Sequence, residues 1–377
     1  MRFLHLGDLH IGKRVNEKSM LEDQIHILKQ LVQIATENQV SAVLIAGDVF
    51  DKSVPSTEAL DVCEAFLADV AKQGIPLYVI AGNHDSAERL SFGSTFMAEK
   101  GVHIAKAYRG SIPVFEIKDE AGTVYIHLLP FVKPTHVRMA YPDQTAEVVS
   151  HNDAVRIALE HHSLDTSKRN ILVAHQFVVD GEHSPDTCES ETISVGGIDS
   201  VQAALFDGFD YVALGHLHGA QHVRRPQVRY CGTPLKYSFS ESKQVKTATI
   251  VDIDATGEVD ISTRPLTPLH DMRELKASWN EIKNGCDAKD HDDYLHITLT
   301  DNSLYDAAAR LRSIYKNLLR VDFAAMVAKT YAGVSGDAEM NKSPQELFVD
   351  FYQMQTGNVL TESQRALIAQ IIAQEVE

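Results

Sequence analysis

The sequence has few cysteines, and those present form no recognisable motif. Cys63, Cys188, Cys231 and Cys286 are scattered over 377 residues and include no Cys-x-x-Cys pair. This spacing argues against a zinc knuckle and against a disulfide framework. Scattered cysteines of this kind are typical of a reducing compartment, so we predict a cytoplasmic protein.

Long apolar runs are also missing. No stretch approaches the ~18 consecutive apolar residues that a membrane helix needs. The first residues lead directly into a strand pattern, without the layout of a signal peptide. Hydrophobic residues make up 44% of the chain and charged residues 23%, which is ordinary for a globular protein. The chain length predicts two or three domains with a large core.

Positive charge is scarce relative to negative charge. The chain has 35 Lys and Arg residues against 52 Asp and Glu residues, which gives a formal net charge of −17. Domains that grip nucleic acid by bulk electrostatics are usually basic, so this composition argues against strong DNA affinity of the chain alone. It does not exclude a nucleic-acid substrate, because acidic residues can collect at a metal site and a partner can supply the basic surface.

The sequence also lacks a Gly-x-x-x-x-Gly-Lys-Ser/Thr loop. That loop cradles the phosphates of a bound nucleotide and is the usual sequence sign of an ATPase. We therefore predict no nucleotide site in this chain, and any ATP dependence of its function must come from another protein.

Five apolar segments are each followed by polar side chains that can bind a metal. Each segment is typical of a buried strand in an α/β sheet. Taken singly, such a turn is more often structural, with an Asp that caps a helix or a hydrogen-bonded His. Because parallel strands present ligands at their shared carboxyl edge, five such ends favour one common site. The candidate residues are Asp8, His10, Asp48, Asn83, His84, His175, His216 and His218.

These side chains predict a particular class of ion. They offer carboxylate, amide and imidazole groups but no thiolate, which suits manganese, iron, zinc or magnesium. Seven ligands are too many for one ion and favour two ions that share one carboxylate. Two ions about 3.5–4 Å apart can clamp the attacking and leaving oxygens of a phosphoryl displacement and lower the pKa of a bridging water.

The ordered set of these motifs resembles the calcineurin-like metallophosphoesterase superfamily over residues 1 to about 260. Within that superfamily the chain is similar to the Mre-type nucleases, which include the bacterial SbcD proteins. The stretches that carry the resemblance are Gly7–Gly12, Ala46–Asp51, Ala81–Ser86, Ala174–Phe177, Ser194–Gly197, Gly215–His218 and Tyr230–Pro234.

The resemblance implies a role for each candidate residue. It implies two Mn²⁺ ions, with Mg²⁺ as a substitute, that are bridged by Asp48. His84 would not be a ligand but would contact the scissile phosphate and help to protonate the leaving oxygen. Some relatives have a second histidine three residues after the bridging Asp, where this chain has Asp51. The other ligands would be Asp8, His10 and His218 for one ion and Asn83, His175 and His216 for the other.

The same resemblance implies an architecture. We expect an α/β metallophosphoesterase-type layered sandwich with helices outside over residues 1–265. A small α+β capping domain would follow over 266–335, and a C-terminal helix pair over 340–377 would bind an ATPase partner. Pro265 and Pro268 are consistent with the first boundary.

The implied activity is hydrolysis of DNA phosphodiesters in DNA repair, recombination and replication. It would be exonucleolytic at double-strand ends and endonucleolytic in single strands and hairpins. The implied partners are DNA, an SbcC-like SMC ATPase, and a second copy of the chain that docks through helices at about 57–72 and 88–99. Such a homodimer would form a heterotetramer with the ATPase.

Two other interpretations remain open. A small-molecule phosphoesterase would use the same core, but it would not need the extra module or the helix pair. A scaffold with a decayed site would not need the complete ligand set. Under the nuclease interpretation, basic residues near the ligand-side loops are candidate phosphate contacts. These are Lys13, Arg14, Arg89, Lys133, Arg138, Arg224, Arg225 and Lys236.

Periodicity and capping signals predict the main helices. An amphipathic helix is expected over Ser19–Asn38, where Ser19 and Glu22 form a capping-box pattern. Start signals for the two tail helices are present at Ser343-Pro344 and Thr361. The remaining predicted helices are Thr57–Lys72, Glu88–Glu99, Asn152–His162, Ala277–Lys283 and Ser303–Leu319.

Overall fold

A computed structural model of the chain describes residues 1–191, 199–284, 292–301, 306–324, 348–353 and 359–375. The chain falls into two compact units. The larger unit comprises Met1–Leu275, Asp287–His296 and Arg312–Arg320. The smaller comprises Lys276–Cys286, Ile297–Leu311 and Val321–Glu377. Within the described ranges, no helix combines the length and apolar character that crossing a membrane requires.

Nineteen strands are assigned in the described part of the chain. They are β1 (Arg2–Leu6), β2 (Arg14–Val15), β3 (Lys18–Ser19), β4 (Ala42–Ala46), β5 (Leu77–Ile80), β6 (Val102–Ile104), β7 (Val114–Asp119), β8 (Gly122–Leu129), β9 (Arg169–His175), β10 (Phe177–Val179), β11 (Ser200–Gln202), β12 (Tyr211–Gly215), β13 (Gln221–Val223), β14 (Arg225–Tyr230), β15 (Thr247–Ile253), β16 (Val259–Pro265), β17 (Met272–Ala277), β18 (Tyr294–Leu299) and β19 (Leu318–Phe323).

The helices of the described residues are mostly short. Three 3₁₀ helices lie at Pro142–Glu147, Ala203–Phe206 and Phe239–Glu241. Residues 348–353 are also helical, and a C-terminal helix spans Glu362–Glu375. The remaining α-helices are α1 (Leu21–Glu37), α2 (Thr57–Lys72), α3 (Ala87–Leu90), α4 (Ser94–Ala98), α5 (Pro134–Ala140), α6 (His151–Glu160), α7 (Trp279–Lys283) and α8 (Ala307–Arg312).

Two six-stranded sheets form the centre of the larger unit. The first has the strand order β16-β15-β1-β4-β5-β6, in which β1, β4, β5 and β6 are parallel. The second has the order β13-β14-β12-β9-β8-β7, in which β8, β9, β12 and β14 are parallel. Parallel strands in each sheet end at the same edge, which is where the candidate ligands follow.

The alternation of side chains along each strand explains the layers. On β4, Leu44 belongs to the core between the two sheets, whereas Val43 and Ile45 belong to the core that α1 and α2 cover. On β9, Val173 faces the core between the sheets, and Leu172 packs in the core that includes α6. The result is a layered α/β sandwich with helices on both outer faces, as the family resemblance implies.

Several predicted elements are confirmed. Strand β4 and helix α2 have the predicted bounds, and the Ser56 hydroxyl caps α2 by accepting from the Ala59 amide at 3.3 Å. Thr361 and Gln364 form the predicted cap of the C-terminal helix, since the Thr361 amide donates to the Gln364 side chain at 2.9 Å. The predicted Ser343-Pro344 signal lies outside the described residues.

Other predicted elements are wrong. The capping box at Ser19 does not form, because Ser19 ends strand β3 and the helix begins at Leu21 with no side-chain cap. The predicted helix over 88–99 is two short helices, because Gly93 between them has a left-handed φ of 76°.

The helix predicted over Ser303–Leu319 is also wrong in its second half. Helix α8 ends at Arg312, and the chain then enters strand β19 at Leu318. The Leu295 amide donates to the Asn317 carbonyl at 3.1 Å, so strand pairing prevails over helical propensity there. The first residues of the predicted helix, 303–305, lie outside the described residues.

A candidate metal centre at the strand ends

The candidate ligands lie directly after parallel strands of both sheets. Asp8 and Asp48 follow β1 and β4 in the first sheet, and Asn83 follows β5. His175 ends β9 in the second sheet, and His216 follows β12. Because the two sheets face each other, their ligand edges meet, and the structure brings the predicted residues into one cluster.

Asp48 is central to this cluster. Its Oδ2 atom lies 3.5 Å from Nε2 of His175 and 3.8 Å from Nε2 of His10. The two facing Nε2 atoms of His10 and His218 are 3.2 Å apart. All four side chains are buried, so potential ligand atoms from both sheets surround a small volume that water scarcely reaches.

Asn83 joins a second group of ligand atoms. Its Oδ1 atom lies 2.8 Å from Nε2 of His175 and 3.0 Å from Nδ1 of His216. Asp8 lies beside this group, and its carboxylate oxygens accept from the His216 amide at 2.9 and 3.0 Å. Among the residues that the structure describes, side chains close enough to share an ion form three overlapping sets. They are Asp8, His10 and His218; Asp8, Asp48 and His175; and His10, Asp48 and His84.

The backbone at these positions is strained. Asp8, His10 and Asp48 have φ values of 52°, 44° and 46°, and His216 has a φ of 109°. Non-glycine residues seldom adopt positive φ, and such residues concentrate at functional sites where the fold enforces them.

Glycine is required at two of the strand ends. A Cβ added at Gly82 would lie 2.1 Å from Oδ1 of Asp48, and one at Gly215 would lie 1.9 Å from the Ala46 carbonyl oxygen. No real side chain fits at such distances. The glycine of the Gly-Asn-His-Asp motif therefore lets the loop approach the Asp48 carboxylate closely.

The hydrogen bonds of two histidines determine which ring nitrogen carries the proton. Nδ1 of His175 lies 2.8 Å from the Ala46 carbonyl oxygen, and Nδ1 of His84 lies 2.9 Å from the Asp51 carbonyl oxygen. A carbonyl can only accept, so Nδ1 is the donor in both rings. The Nε2 lone pair of His175 is thereby directed at the Asn83 and Asp48 oxygens, as a metal ligand requires.

Burial sets the electrostatics of the site. It raises the pKa of Asp8 well above its ordinary value, with the Asp48 charge adding to the effect, and it raises the pKa of Asp48 to about 6. Burial likewise lowers the pKa of His175 to about 3 and that of His10 well below its ordinary value. At the carboxylates, burial outweighs the nearby positive charge, while the imidazoles are neutral and free to bind a cation.

These features fit divalent metal ions. Close buried carboxylates are stabilised in their charged form by a cation, and the oxygen and imidazole donors match borderline divalent ions. The Nε2 lone pair of His175 faces oxygen atoms of Asn83 and Asp48 at 2.8 and 3.5 Å. Such a contact between a lone pair and oxygens is explained if a cation binds between them.

His84 is placed differently from the other candidates. Its amide donates to Oδ1 of Asp48 at 2.9 Å, and its ring stands nearly perpendicular to that of His10 with centroids 4.8 Å apart. The side chain is only half-buried. His84 therefore belongs to the cluster but is more accessible than His10 and Asp48.

The structure also identifies supporting residues that the sequence analysis missed. The Asp85 carboxylate accepts from the amides of Val49, Phe50 and Gly82 at 3.1, 2.9 and 2.9 Å, so it ties two ligand loops together. Burial, with the Asp48 charge adding to it, raises the pKa of Asp85 to about 7. Its place at the end of the Gly-Asn-His-Asp motif is the one signal that could have identified it.

A second supporting set surrounds His218. It combines a hydroxyl, two carboxylates and an ammonium group, all within hydrogen-bonding distance of His218 or of one another. No local sequence pattern marks these residues. They are Ser190, Glu191, Glu241 and Lys246.

Most of the candidate phosphate-contact residues have partners within the chain. Lys13 pairs with Asp51 at 2.8 Å, which places its ammonium group beside the metal cluster. Lys236 pairs with Asp271 at 2.9 Å, and Arg224 pairs with Asp207 at 3.0 Å. The charge of Lys13 acts to lower the pKa of both His10 and Asp48.

Comparison with known proteins gives the family of this architecture. A family model of the calcineurin-like phosphoesterases matches residues 1–220. A second model, SbcD_C, described as the type 5 capsule protein repressor C-terminal domain, matches residues 268–356. The first match covers all of the candidate ligands and eight of the twelve strands of the two six-stranded sheets.

Two curated relatives match the full length of the chain, and both are the SbcD component of an SbcCD nuclease. The protein from Staphylococcus saprophyticus is 32% identical over 385 residues, covering 100% of this chain and 99% of that protein. The protein of the same name from Staphylococcus epidermidis is 30% identical over 380 residues, covering 99% and 98%. A solved dimetal phosphatase from Danio rerio aligns over 71% of this chain and 98% of its own, at 11% identity and a TM-score of 0.41.

Proposed function

The chain belongs to the calcineurin-like phosphoesterase family and is homologous over its full length to the SbcD components of SbcCD nucleases, and from this premise we propose that it is a metal-dependent DNA nuclease subunit. The proposed reaction is Mn²⁺-dependent hydrolysis of DNA phosphodiesters in DNA repair and recombination. It is exonucleolytic at double-strand ends and endonucleolytic in single strands and hairpins. The names of both full-length relatives support the nuclease assignment.

One observation carries the proposal: ligand atoms from both sheets converge on Asp48. Its Oδ2 atom lies between Nε2 of His175 at 3.5 Å and Nε2 of His10 at 3.8 Å, so this carboxylate can serve two ions at once. We assign Asp48 as the bridging ligand. The other ligands are Asp8, His10 and His218 for one Mn²⁺ and Asn83, His175 and His216 for the other, with Mg²⁺ as a substitute.

The protein's own residues prepare this site for the ions. Two divalent ions, when bound, supply Lewis-acid polarisation of the phosphate and a water whose pKa is lowered toward neutrality. Asp85 fixes the loops that carry Asp48 and Asn83 through its three amide hydrogen bonds. Burial keeps the imidazole of His175 neutral, with its proton at Nδ1 and its Nε2 lone pair available. The protein therefore needs little rearrangement to accept the ions.

His84 has the geometry of a proton donor to the substrate. Its Nδ1–H is committed to the Asp51 carbonyl, so Nε2 is the atom that gains and loses a proton. In the imidazolium form Nε2 can hydrogen-bond a phosphate oxygen and then pass its proton to the leaving oxygen. Proton transfer of this kind contributes about 10²–10⁴-fold in rate.

Partners complete the proposal. The segment from α2 to α4 exposes Leu60, Phe92 and Phe96, of which Phe92 and Phe96 are 84% and 77% accessible, and we assign this face to a homodimer.

The tail over residues 340–377 is assigned to an SbcC-like SMC ATPase, giving a heterotetramer. The segment 266–335 is assigned as a capping domain beside DNA. A reducing cytoplasm suits the free thiols of Cys63, Cys188 and Cys231.

The test is cleavage of hairpin and linear duplex DNA by the purified chain in Mn²⁺, with and without the purified ATPase partner. We expect cleavage that a chelator abolishes and that Asp48→Asn eliminates, since this change removes the bridging charge. Ser150→Ala, which removes a hydroxyl at the start of α6, is the matched control and should cut DNA normally. Intact DNA with Mn²⁺ and partner present, together with hydrolysis of a small phosphodiester, would instead favour a small-molecule phosphoesterase.

A further inference from the structure

His218 is oriented differently from other histidines of the metal centre. His175 and His84 donate their Nδ1–H groups to main-chain carbonyls. In His218 the corresponding nitrogen lies 2.7 Å from the side-chain Oγ of Ser190 and 3.6 Å from Oε1 of Glu241. The hydroxyl is therefore the direct partner of the imidazole, and the carboxylate stands one step behind it.

The direction of these hydrogen bonds follows from the chemistry of the groups. Oγ of Ser190 lies 2.6 Å from Oε1 of Glu241, and an ionised carboxylate can only accept. The single hydroxyl proton is thus donated to Glu241, and Oγ must accept from Nδ1–H of His218. This arrangement leaves the Nε2 lone pair of His218 directed at the cluster, where Nε2 of His10 is 3.2 Å away.

A buried ion pair keeps Glu241 ionised. Its side chain is fully buried, and its Oε2 atom accepts from Nζ of Lys246 at 2.6 Å. Lys246 also donates to the His218 carbonyl oxygen at 2.9 Å. The Glu241–Lys246 pair therefore contacts the main chain of His218 directly and its ring through Ser190.

The segment that carries Ser190 is docked against the same region. The Glu191 carboxylate accepts from the His218 amide at 2.5 Å and from the Cys188 amide at 2.8 Å. The Glu189 amide donates to Oγ of Ser240 at 3.0 Å. Several independent contacts therefore hold Ser190 in place, so the fold itself positions the Ser190 hydroxyl beside His218.

We propose that Ser190, Glu241 and Lys246 form a positioning relay that holds His218 in its Nδ1–H form and so makes it a competent metal ligand. This inference rests on the metal centre of the proposed function. Carboxylate groups behind metal-bound histidines fix the ring and raise its basicity, and removing such support commonly weakens metal binding about 10- to 100-fold. Here a serine hydroxyl transmits the effect.

Removal of the Ser190 hydroxyl should affect His218 more than Glu241. Oε1 of Glu241 also accepts from the Tyr237 amide at 3.2 Å and from the Ser238 hydroxyl at 3.1 Å. Glu241 thus stays satisfied when the Ser190 hydroxyl is removed, whereas Nδ1 of His218 loses its acceptor. Truncation of Ser190 therefore acts chiefly on His218.

The test is calorimetric titration of Mn²⁺ into the metal-free full chain. For Ser190→Ala we expect one of the two ions to bind about 10- to 100-fold more weakly, with the other unchanged. Ser190→Thr retains the hydroxyl and should restore most of the affinity, and Glu241→Gln should weaken the same ion. Ser150→Ala removes a hydroxyl that donates to Asp153 at 2.8 Å outside the cluster, and it should bind both ions normally.

Each outcome decides the matter. Unchanged binding of both ions by Ser190→Ala, with a thermal unfolding curve matching that of the wild type, would overturn the relay. Equal weakening by Ser190→Ala and Ser190→Thr would also overturn it, because the hydroxyl would not be the active group. If the wild type itself binds no Mn²⁺, the metal centre of the proposed function fails first, which separates the two failures.

Discussion

The Nε2 atom of His175 lies 3.5 Å from an oxygen of the Asp48 carboxylate, and the two residues belong to different sheets of the sandwich. An ion held by both residues would therefore cross-link the two sheets at their ligand edge. The same contact places an imidazole that burial keeps neutral next to a carboxylate whose pKa burial raises to about 6. The site is thus arranged so that metal binding and stability are coupled.

We expect Mn²⁺ to stabilise the metal-free protein. A ligand that binds only the folded state at 100 times its Kd adds about 2.7 kcal/mol to the free energy of unfolding for each site. Urea unfolding after chelator treatment, with and without added Mn²⁺, measures this gain. Asp48→Asn should lose most of it, and an equal gain in wild type and variant would contradict the bridging role of Asp48.

Gly82→Ala should abolish Mn²⁺ binding. The new methyl group would lie 2.1 Å from Oδ1 and 2.5 Å from the amide nitrogen of Asp48, so the strand end must move. Gly74→Ala is the matched control, because Gly74 has a φ of 74° but its added Cβ meets nothing within 4 Å. That control should cost about 1–2 kcal/mol of stability through backbone strain alone and leave Mn²⁺ binding intact. Calorimetry that shows normal binding by Gly82→Ala would contradict the packing argument.

A buried histidine outside the metal centre predicts a pH dependence of stability. His127 donates from Nε2 to the Asn170 side-chain oxygen at 3.0 Å, and its Nδ1 lies 2.7 Å from Nε2 of His162. Burial lowers the pKa of His127 to about 4. Because the unfolded chain binds this proton near pH 6.5, the stabilising effect is complete above that pH and declines as the pH falls toward 4.

His127→Gln tests this effect. The variant lacks the titrating group, so the stability advantage of the wild type should shrink by about 3 kcal/mol between pH 7 and pH 4. Urea unfolding of both proteins in chelator measures the difference and cancels the contribution of the metal-centre histidines. A difference that stays constant across this range would show that His127 is not buried in its neutral form.

The clustering of the candidate ligands was predictable because their positions follow from local rules. Parallel strands end at one edge of a sheet, so Asp8, Asp48 and His175 can be placed together from strand patterns alone. Helix α2 was equally predictable from the sequence, since Ser56 lies at its N-cap and apolar residues recur at helical spacing. These features depend on a few neighbouring residues.

The remaining features depend on distant parts of the chain. Lys246 donates a hydrogen bond to the His218 carbonyl oxygen, although the two residues are 28 positions apart in the sequence and no spacing rule connects them. The break between α3 and α4 depends on the left-handed backbone of Gly93, which a helical pattern conceals. Strand β19 replaces predicted helix because it pairs with β18, and tertiary pairing of this kind overrides local propensity.

We propose that the strand-end cluster hydrolyses DNA and that His84 protonates the leaving oxygen. The most direct measurement compares wild type and His84→Gln on two substrates, a DNA oligonucleotide and a p-nitrophenyl phosphodiester whose leaving group needs no proton. Mn²⁺ stoichiometry is measured in parallel and should be unchanged, since His84 is not assigned as a ligand.

We predict that His84→Gln slows DNA cleavage about 10²–10⁴-fold and slows cleavage of the p-nitrophenyl ester far less. Equal losses on the two substrates would contradict the role of His84 as proton donor. Undiminished DNA cleavage by the variant would show that His84 takes no part in the reaction.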